Sequence, residues 1–129
     1  MEFRSTKVRV LFVDDEARIT QMAEQVLHSQ GFEVTALTNP QHALTAFLAD
    51  PEQFDAVVLD HTMPELSGLE LAERISSVRR ELPLLLLSGF AESISSSALR
   101  RAGIVRCLPK PLPLSQLGEL IHGLLQRDT

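Results

Sequence analysis

Four short apolar runs, each closed at once by a polar side chain, constrain this chain more than any other feature of its sequence. Ala56-Val57-Val58-Leu59 ends on Asp60, Val10-Leu11-Phe12-Val13 on Asp14-Asp15, and Leu84-Leu85-Leu86-Leu87 on Ser88; Ile104 to Leu108, polar only at Arg106, leads through Pro109 to Lys110. Short runs of this kind, rich in Val, Ile and Leu and without alternation, predict strands buried on both faces, as in parallel sheets sandwiched between helices. If the four lie side by side in one such sheet, their polar ends converge on the edge where open α/β sheets hold their ligands.

The segments between the runs support that layout. Ile19, Met22, Ala23, Val26 and Leu27 have the spacing of three and four that gives a helix one apolar face, and Gly31 supplies the left-handed residue that stops it near Gln30. Phe32 to Leu37 predicts a second strand, at an edge because Glu33 and Thr35 are polar. Asn39-Pro40 combines a capping side chain with a preset first helical residue, and Ala43, Leu44, Phe47 and Leu48 follow before the break at Asp50-Pro51. Ser67 and Glu70 have the spacing of a capping box ahead of Leu71, Ile75 and Val78, the expected buried face of a third helix. Pro83 opens the fourth strand. A helix over Glu92 to Arg101 is predicted to be weak, since Ser93, Ser95, Ser96 and Ser97 compete for its backbone, and Gly103 ends it. A last helix places Leu114, Leu117, Ile121 and Leu124 on one side, with Gly118 and Gly123 each costing roughly 1 kcal/mol relative to Ala.

Five alternations of strand and helix predict an α/β fold: a (βα)5 doubly wound, parallel five-stranded sheet in flavodoxin-like order 2-1-3-4-5, within three α/β/α layers. At 129 residues one domain is expected, spanning 7–129, with residues 1–6 a tail that is either native or added. A net charge of −5, with Arg79-Arg80 and Arg100-Arg101 too short to form patches, argues against nucleic-acid binding. No apolar stretch is long enough to span a bilayer, and Met1 to Thr6 lack the apolar core of a secretion signal. The single cysteine, Cys107, excludes an internal disulfide and fits a reducing compartment, so a cytoplasmic location is expected; its side chain reads as a small buried hydrophobe. His28, His42, His61 and His122 show no metal-ligand spacing and are expected at the surface.

Chemistry enters with the strand ends. Asp14-Asp15-Glu16 alone is an ordinary helix start, Asp60 alone a strand-end residue, Ser88 alone a turn residue, and Lys110 alone a solvated loop lysine. Together they imply a phosphoryl-handling site. Two carboxylates about 4 Å apart repel by about 4 kcal/mol at an effective dielectric near 20, and one lysine cannot balance three. A hard divalent cation is the natural filler, and a site with few carboxylates, room for water and a place for phosphate oxygens favours Mg²⁺ over Ca²⁺. Asp60 can then act as a nucleophile and form an acyl phosphate, while the cations hold the equatorial oxygens.

In this combination the chain resembles the receiver domains of two-component signalling, from about Lys7 to the last helix. The resemblance is carried by Asp14-Asp15 after the first strand and Asp60 after the third, with Met63-Pro64 and Gly68 in the next loop, Ser88-Gly89 after the fourth strand and Lys110-Pro111 after the fifth. It implies that Asp60 accepts a phosphoryl group from the phosphohistidine of a histidine kinase or histidine phosphotransfer domain. It implies further that Asp14, Asp15, Asp60 and the backbone carbonyl of Thr62 bind Mg²⁺, that Ser88 bonds a phosphoryl oxygen, that Lys110 pairs with the phosphoryl group, and that the Lys110-Pro111 bond is cis. Receivers commonly carry an aromatic switch residue where this chain has Cys107, and more often Thr than Ser at position 88. By the same resemblance, Thr62 and Phe90 flank the path of hydrolytic water. The residues from His61 to Gly68 and from Leu86 to Phe90 are similar to those of receivers attached to hybrid sensor kinases. The chain is therefore expected to be a phosphoacceptor rather than an enzyme, either stand-alone or one part of a larger protein, with no effector after its last helix. The alternatives are an interaction module that is never phosphorylated, and a hydrolase. No second Asp stands two residues beyond Asp60 to serve the hydrolase.

Overall fold

The computed structural model describes residues 7–126, so the expected tail over residues 1–6 lies outside the described residues. Five strands alternate with five helices: β1 Arg9–Val13, α1 Ala17–Ser29, β2 Glu33–Leu37, α2 Pro40–Ala49, β3 Ala56–Asp60, α3 Gly68–Val78, β4 Leu84–Ser88, α4 Ser96–Arg101, β5 Ile104–Pro109 and α5 Leu117–Gln126. All pairings are parallel and the order is β2-β1-β3-β4-β5, as the sequence predicts. Among the described residues no helix is long and apolar enough to cross a membrane.

The unbroken apolar runs are explained by the two cores. Successive strand side chains point to opposite faces. Leu11, Val13, Val57, Leu59, Leu84 and Leu86 therefore pack with Ala43 and Phe47 of α2 and Leu71, Ala72 and Ile75 of α3. Val10, Phe12, Ala56, Val58, Leu85 and Leu87 pack on the other face with Ala23 and Leu27 of α1 and Leu117, Ile121 and Leu124 of α5. Each fully buried Leu or Phe contributes roughly 1.5–3 kcal/mol relative to exposure. Their concentration in β1, β3 and β4 makes the middle of the sheet a rigid base whose carboxyl edge holds its side chains in place.

Caps set several helix starts. The Asn39 side chain accepts hydrogen bonds from the N–H groups of Gln41 and His42 at the head of α2. The expected capping box is present at α3: the Glu70 N–H donates to Ser67 Oγ at 3.1 Å, and the Ser67 N–H donates to Glu70 Oε1 at 3.0 Å. Ser67→Ala is expected to lower unfolding stability by about 1 kcal/mol, seen as a lower urea midpoint with an unchanged m value.

The structure departs from the sequence reading in several places. The helix expected over Glu92 to Arg101 is split: a single 3-10 turn, Ala91–Ser93, is followed by extended Ile94, and α4 proper is only six residues, begun by the Ser95 hydroxyl accepting the Ala98 N–H. The serines cap and turn here instead of propagating helix. Val78, expected on the buried face of α3, is 51% exposed and is the last residue of that helix. The last helix opens with a 3-10 turn, Leu114–Gln116, before α5. In β5, Ile104 pairs with Leu84 and Arg106 with Leu85, leaving Val105 as a bulge residue, 47% exposed. Strict alternation would put Ile104, Arg106 and Leu108 on one face; the bulge instead sends Ile104 to the α2–α4 side and Leu108 to the α1–α5 side.

Candidate functional site

The carboxyl ends of β1, β3, β4 and β5 bring together Asp14, Asp15, Asp60, Ser88 and Lys110, every side chain that the sequence reading assigned to the site. Asp14 is fully buried and immobilised on three sides. Its N–H donates to Leu37 O at 3.2 Å, its Oδ1 accepts the Glu16 N–H at 2.9 Å, and its carbonyl accepts the Thr20 hydroxyl at 2.8 Å. Asp15 is exposed, and Asp60 closes β3 at 5% exposure. One carboxylate oxygen from each of the three lies within 4.8 Å of the others.

Lys110 reaches into this cup from the end of β5. Its Nζ donates to Asp60 Oδ1 at 2.9 Å and to Asp14 Oδ2 at 3.4 Å. Its backbone N–H donates to Ser88 O at 2.9 Å, which ties the loop after β5 to the end of β4, and the following Lys110-Pro111 bond is cis. Ser88 is 2% exposed and its Oγ accepts the Phe90 N–H at 3.1 Å. Acting as an acceptor there, the hydroxyl keeps its own proton to donate. An open cleft of about 420 Å³ over the carboxylates is lined by Asp15, Glu16, Asp60, Thr62, Gly89, Phe90 and Lys110. Phe90 stands on its rim with 75% of its surface exposed.

Burial pushes the Asp60 carboxyl above the usual range, and the charges of Asp14 and Asp15 push the same way against the pull of Lys110. Burial acts to lower the Lys110 ammonium, but its hydrogen bond to Asp60 and the charges of Asp14 and Asp60 outweigh it and leave the group raised. The site is therefore short of positive charge. An octahedral Mg²⁺ with ligands near 2.1 Å places neighbouring oxygens about 3 Å apart and opposite ones about 4.2 Å apart. Three acidic oxygens within 4.8 Å of one another need only a small contraction to meet that geometry, and the open cleft leaves room for waters. The donor set fits the ion.

The loop after β3 is held from below. Met63 and Leu66 are buried in the α2–α4 core, the His61 N–H donates to Leu87 O, and the Gly68 N–H returns to His61 O, each at 2.9 Å. Gly68 thus lies directly against the backbone of Asp60, where a Cβ would collide with the Asp60 carbonyl. Of the histidines expected at the surface, His28, His42 and His122 are exposed, with His122 against the Phe32 ring. His61 is instead half-buried, with Nδ1 lacking a hydrogen-bond partner. Cys107 lies opposite Leu86, half-buried, and burial pushes its thiol up, away from reactivity. Thr20 and Glu16 contribute to the site without having been singled out from sequence. A threonine inside an amphipathic helix looks like any tolerated polar residue until its hydroxyl is seen to point back at Asp14.

The family model for the response regulator receiver domain matches residues 10–122, a span that carries all of these residues in this order. The chain belongs to the response regulator receiver domain family. This receiver is 34% identical over 122 residues to the response regulator MprA of Mycolicibacterium vanbaalenii, an alignment covering 95% of the chain and 52% of the relative. It is 30% identical, over 95% of the chain and 47% of the relative, to the transcriptional regulatory protein TrcR of Mycobacterium tuberculosis. The receiver therefore spans about half the length of these curated relatives. Among solved structures, a response regulator receiver domain protein from Clostridium thermocellum superposes with a TM-score of 0.85 at 25% identity, over 94% of this chain and 96% of that one. TrrA from Thermotoga maritima, solved in complex with Mg²⁺-BeF, gives a TM-score of 0.80 at 29% identity, over 92% of this chain and 99% of that one. The receiver is accordingly a signalling domain of two-component systems, with an acidic cluster suited to Mg²⁺.

Proposed function

We propose that this receiver accepts a phosphoryl group on Asp60 from the phosphohistidine of a histidine kinase or histidine phosphotransfer domain, in a Mg²⁺-dependent reaction in the cytoplasm. The domain is assigned to residues 7–129. The observation that carries the reading is the meeting of three carboxylates and the Lys110 ammonium around a single buried acceptor.

Lys110 engages Oδ1 of Asp60, which leaves Oδ2 to attack phosphorus. The new P–O bond forms as the P–N bond of the phosphohistidine breaks, and the departing imidazole nitrogen takes up one proton from solvent. Asp14, Asp15, Asp60 and the backbone carbonyl of Thr62 would hold Mg²⁺, which would supply charge neutralisation for the phosphoryl oxygens. Lys110 pairs with another phosphoryl oxygen, exchanging a carboxylate partner for a more highly charged one. The buried Ser88 hydroxyl turns to donate to a third, giving up the Phe90 N–H and so pulling on the 3-10 turn and the short α4 behind it. No residue of α4 is buried, so this segment yields at the lowest cost.

Incubation with Mg²⁺ and a small acyl-phosphate donor is expected to give one hydroxylamine-labile phosphoryl group per chain; a chain that never labels sinks the proposal. Lys110→Ala is expected to retain slowed labelling while the protection of residues 89–101 against hydrogen exchange no longer responds to it. A full response without the amine contradicts its assigned role. Phe90→Ala is expected to shorten the adduct's half-life several-fold, because the ring on the cleft rim obstructs water approaching phosphorus. An unchanged half-life removes that function from Phe90.

A further inference from the structure

We propose that Thr20 is a positioning residue for the cation site, its buried hydroxyl setting the main chain that carries Asp14 and Asp15. The inference rests on the reading that these carboxylates bind Mg²⁺. Thr20, Ala23 and Leu27 are the buried positions of α1, one line along the face packed on the sheet. Valine would fill the Thr20 position with nearly the same volume and no polar atom, so a hydroxyl at 4% exposure calls for a partner. It has two. Thr20 Oγ1 lies 2.8 Å from Asp14 O and 3.0 Å from Glu16 O. The second is the ordinary contact of a helical threonine with the carbonyl four residues back, and that carbonyl already accepts the Thr20 N–H at 3.1 Å. The first is different. It reaches out of the helix to the residue that follows β1, six positions earlier.

What surrounds this contact gives it weight. Glu16, the residue at the head of α1, makes no side-chain cap, and the first turn of the helix carries no acidic residue. The join between β1 and α1 is held by two hydrogen bonds only one residue apart in their effect: the Glu16 N–H to Asp14 Oδ1, and the Thr20 hydroxyl to Asp14 O. Asp14 is fully buried, so its direction is also fixed by packing. Asp15 is exposed, and the direction of its carboxylate depends on the peptide unit that begins with the Asp14 carbonyl. Removing the hydroxyl leaves that carbonyl short of a donor and free to rotate, which swings Asp15 away from Asp60. Mg²⁺ tolerates little departure from octahedral geometry, and partners behind the ligands are worth about 10- to 100-fold in metal affinity.

The test is calorimetric titration of the folded chain with Mg²⁺ alone, since the protein has no Trp or Tyr to report binding by fluorescence. Thr20→Val is expected to weaken Mg²⁺ binding about ten-fold or more, and Thr20→Ser, which restores the hydroxyl, to bind like the wild type. Ser76→Ala provides the stability control. Ser76 is a buried hydroxyl donating to Ala102 O at 3.0 Å, between α3 and the end of α4, and its loss is expected to lower stability while leaving Mg²⁺ affinity unchanged. Should Thr20→Val not fold, Thr20→Ala, with the better helix former, carries the same expectation. Wild-type affinity in whichever of these variants folds, failure of Thr20→Ser to restore it, or an equal loss in Ser76→Ala overturns the proposal. Absence of Mg²⁺ binding in the wild type itself overturns the underlying metal assignment, and Thr20's role with it.

Discussion

Asp60→Asn is expected to abolish the hydroxylamine-labile phosphoryl adduct entirely and, in the absence of a divalent cation, to make the protein more resistant to unfolding at neutral pH. The first effect follows from chemistry, because an amide oxygen does not displace imidazole from phosphorus. The second follows from charge. Asp60 is 5% exposed beside Asp14 and Asp15, and burial and those two charges together hold its carboxyl above the usual range. A carboxyl raised in the folded state binds its proton more tightly there than in the unfolded chain. Its protonated form favours folding below the unfolded value near 4, and that stabilisation disappears as pH rises through the folded value. Above that value the folded protein carries the electrostatic penalty of a buried carboxylate beside two others.

Asparagine keeps the shape and removes the charge. Lys110 does not lose its only partner, because Asp14 Oδ2 stays within 3.4 Å. Like charges near 4 Å repel by about 4 kcal/mol at intermediate dielectric, partly offset by the lysine, so a net gain of about 1–3 kcal/mol is expected. Urea unfolding of both proteins at pH 7, with EDTA and then with Mg²⁺, checks it. Mg²⁺ should stabilise the wild type much more than the variant and reverse their order at high concentration, since a ligand of the folded state adds stability in proportion to RT ln(1 + [L]/Kd). A variant less stable than the wild type in EDTA would mean that the three carboxylates do not strain the fold.

The sheet and its acidic edge are legible from sequence because they rest on the strongest local signal, continuous apolar runs stopped by charge. Leu84 to Leu87 leaves no alternative to burial on two faces, and the structure provides two cores. Asp60 and Lys110 are fifty residues apart in the chain, and a parallel sheet in this order brings their side chains to 2.9 Å. Where the reading fails, the deciding contact is non-local or the signal balanced. The serines between Phe90 and Ala98 satisfy the backbone equally well by capping, so a continuous helix gives way to a turn and a short α4. The bulge at Val105 leaves no mark in a stretch that reads as apolar with one arginine, yet it decides which core receives each residue of β5. The half-burial of His61 depends on the loop that Gly68 closes over it, and the hydroxyl of Thr20 acquires meaning only once Asp14 lies beneath it.

Gly68→Ala carries the second large effect, and here helix propensity points the wrong way. Gly68 is the first residue of α3, a position where Ala is ordinarily the better helix former. Its backbone is not in the left-handed region, so no conformational strain opposes the change. The obstacle is space. A Cβ built there collides with the carbonyl oxygen of Asp60 and stands 2.7 Å from Leu86 Cδ1. Neither neighbour gives way easily: Asp60 is paired with Leu87 in the middle of the sheet, and Leu86 is fully buried. Nor can α3 simply retreat, since the capping box and the Gly68 N–H to His61 O hydrogen bond hold its first turn in place. Overpacking of this kind costs about 1–3 kcal/mol or more, and the strain falls on the residue that receives the phosphoryl group. The expected result is a loss of about 2 kcal/mol or more in urea unfolding, together with weaker Mg²⁺ binding and slower labelling. Gly123→Ala, in α5 where a Cβ meets nothing within 4 Å, is expected to move the other way by about 1 kcal/mol with labelling unchanged. If both alanines stabilise alike, Gly68 is there for reasons other than room for Asp60.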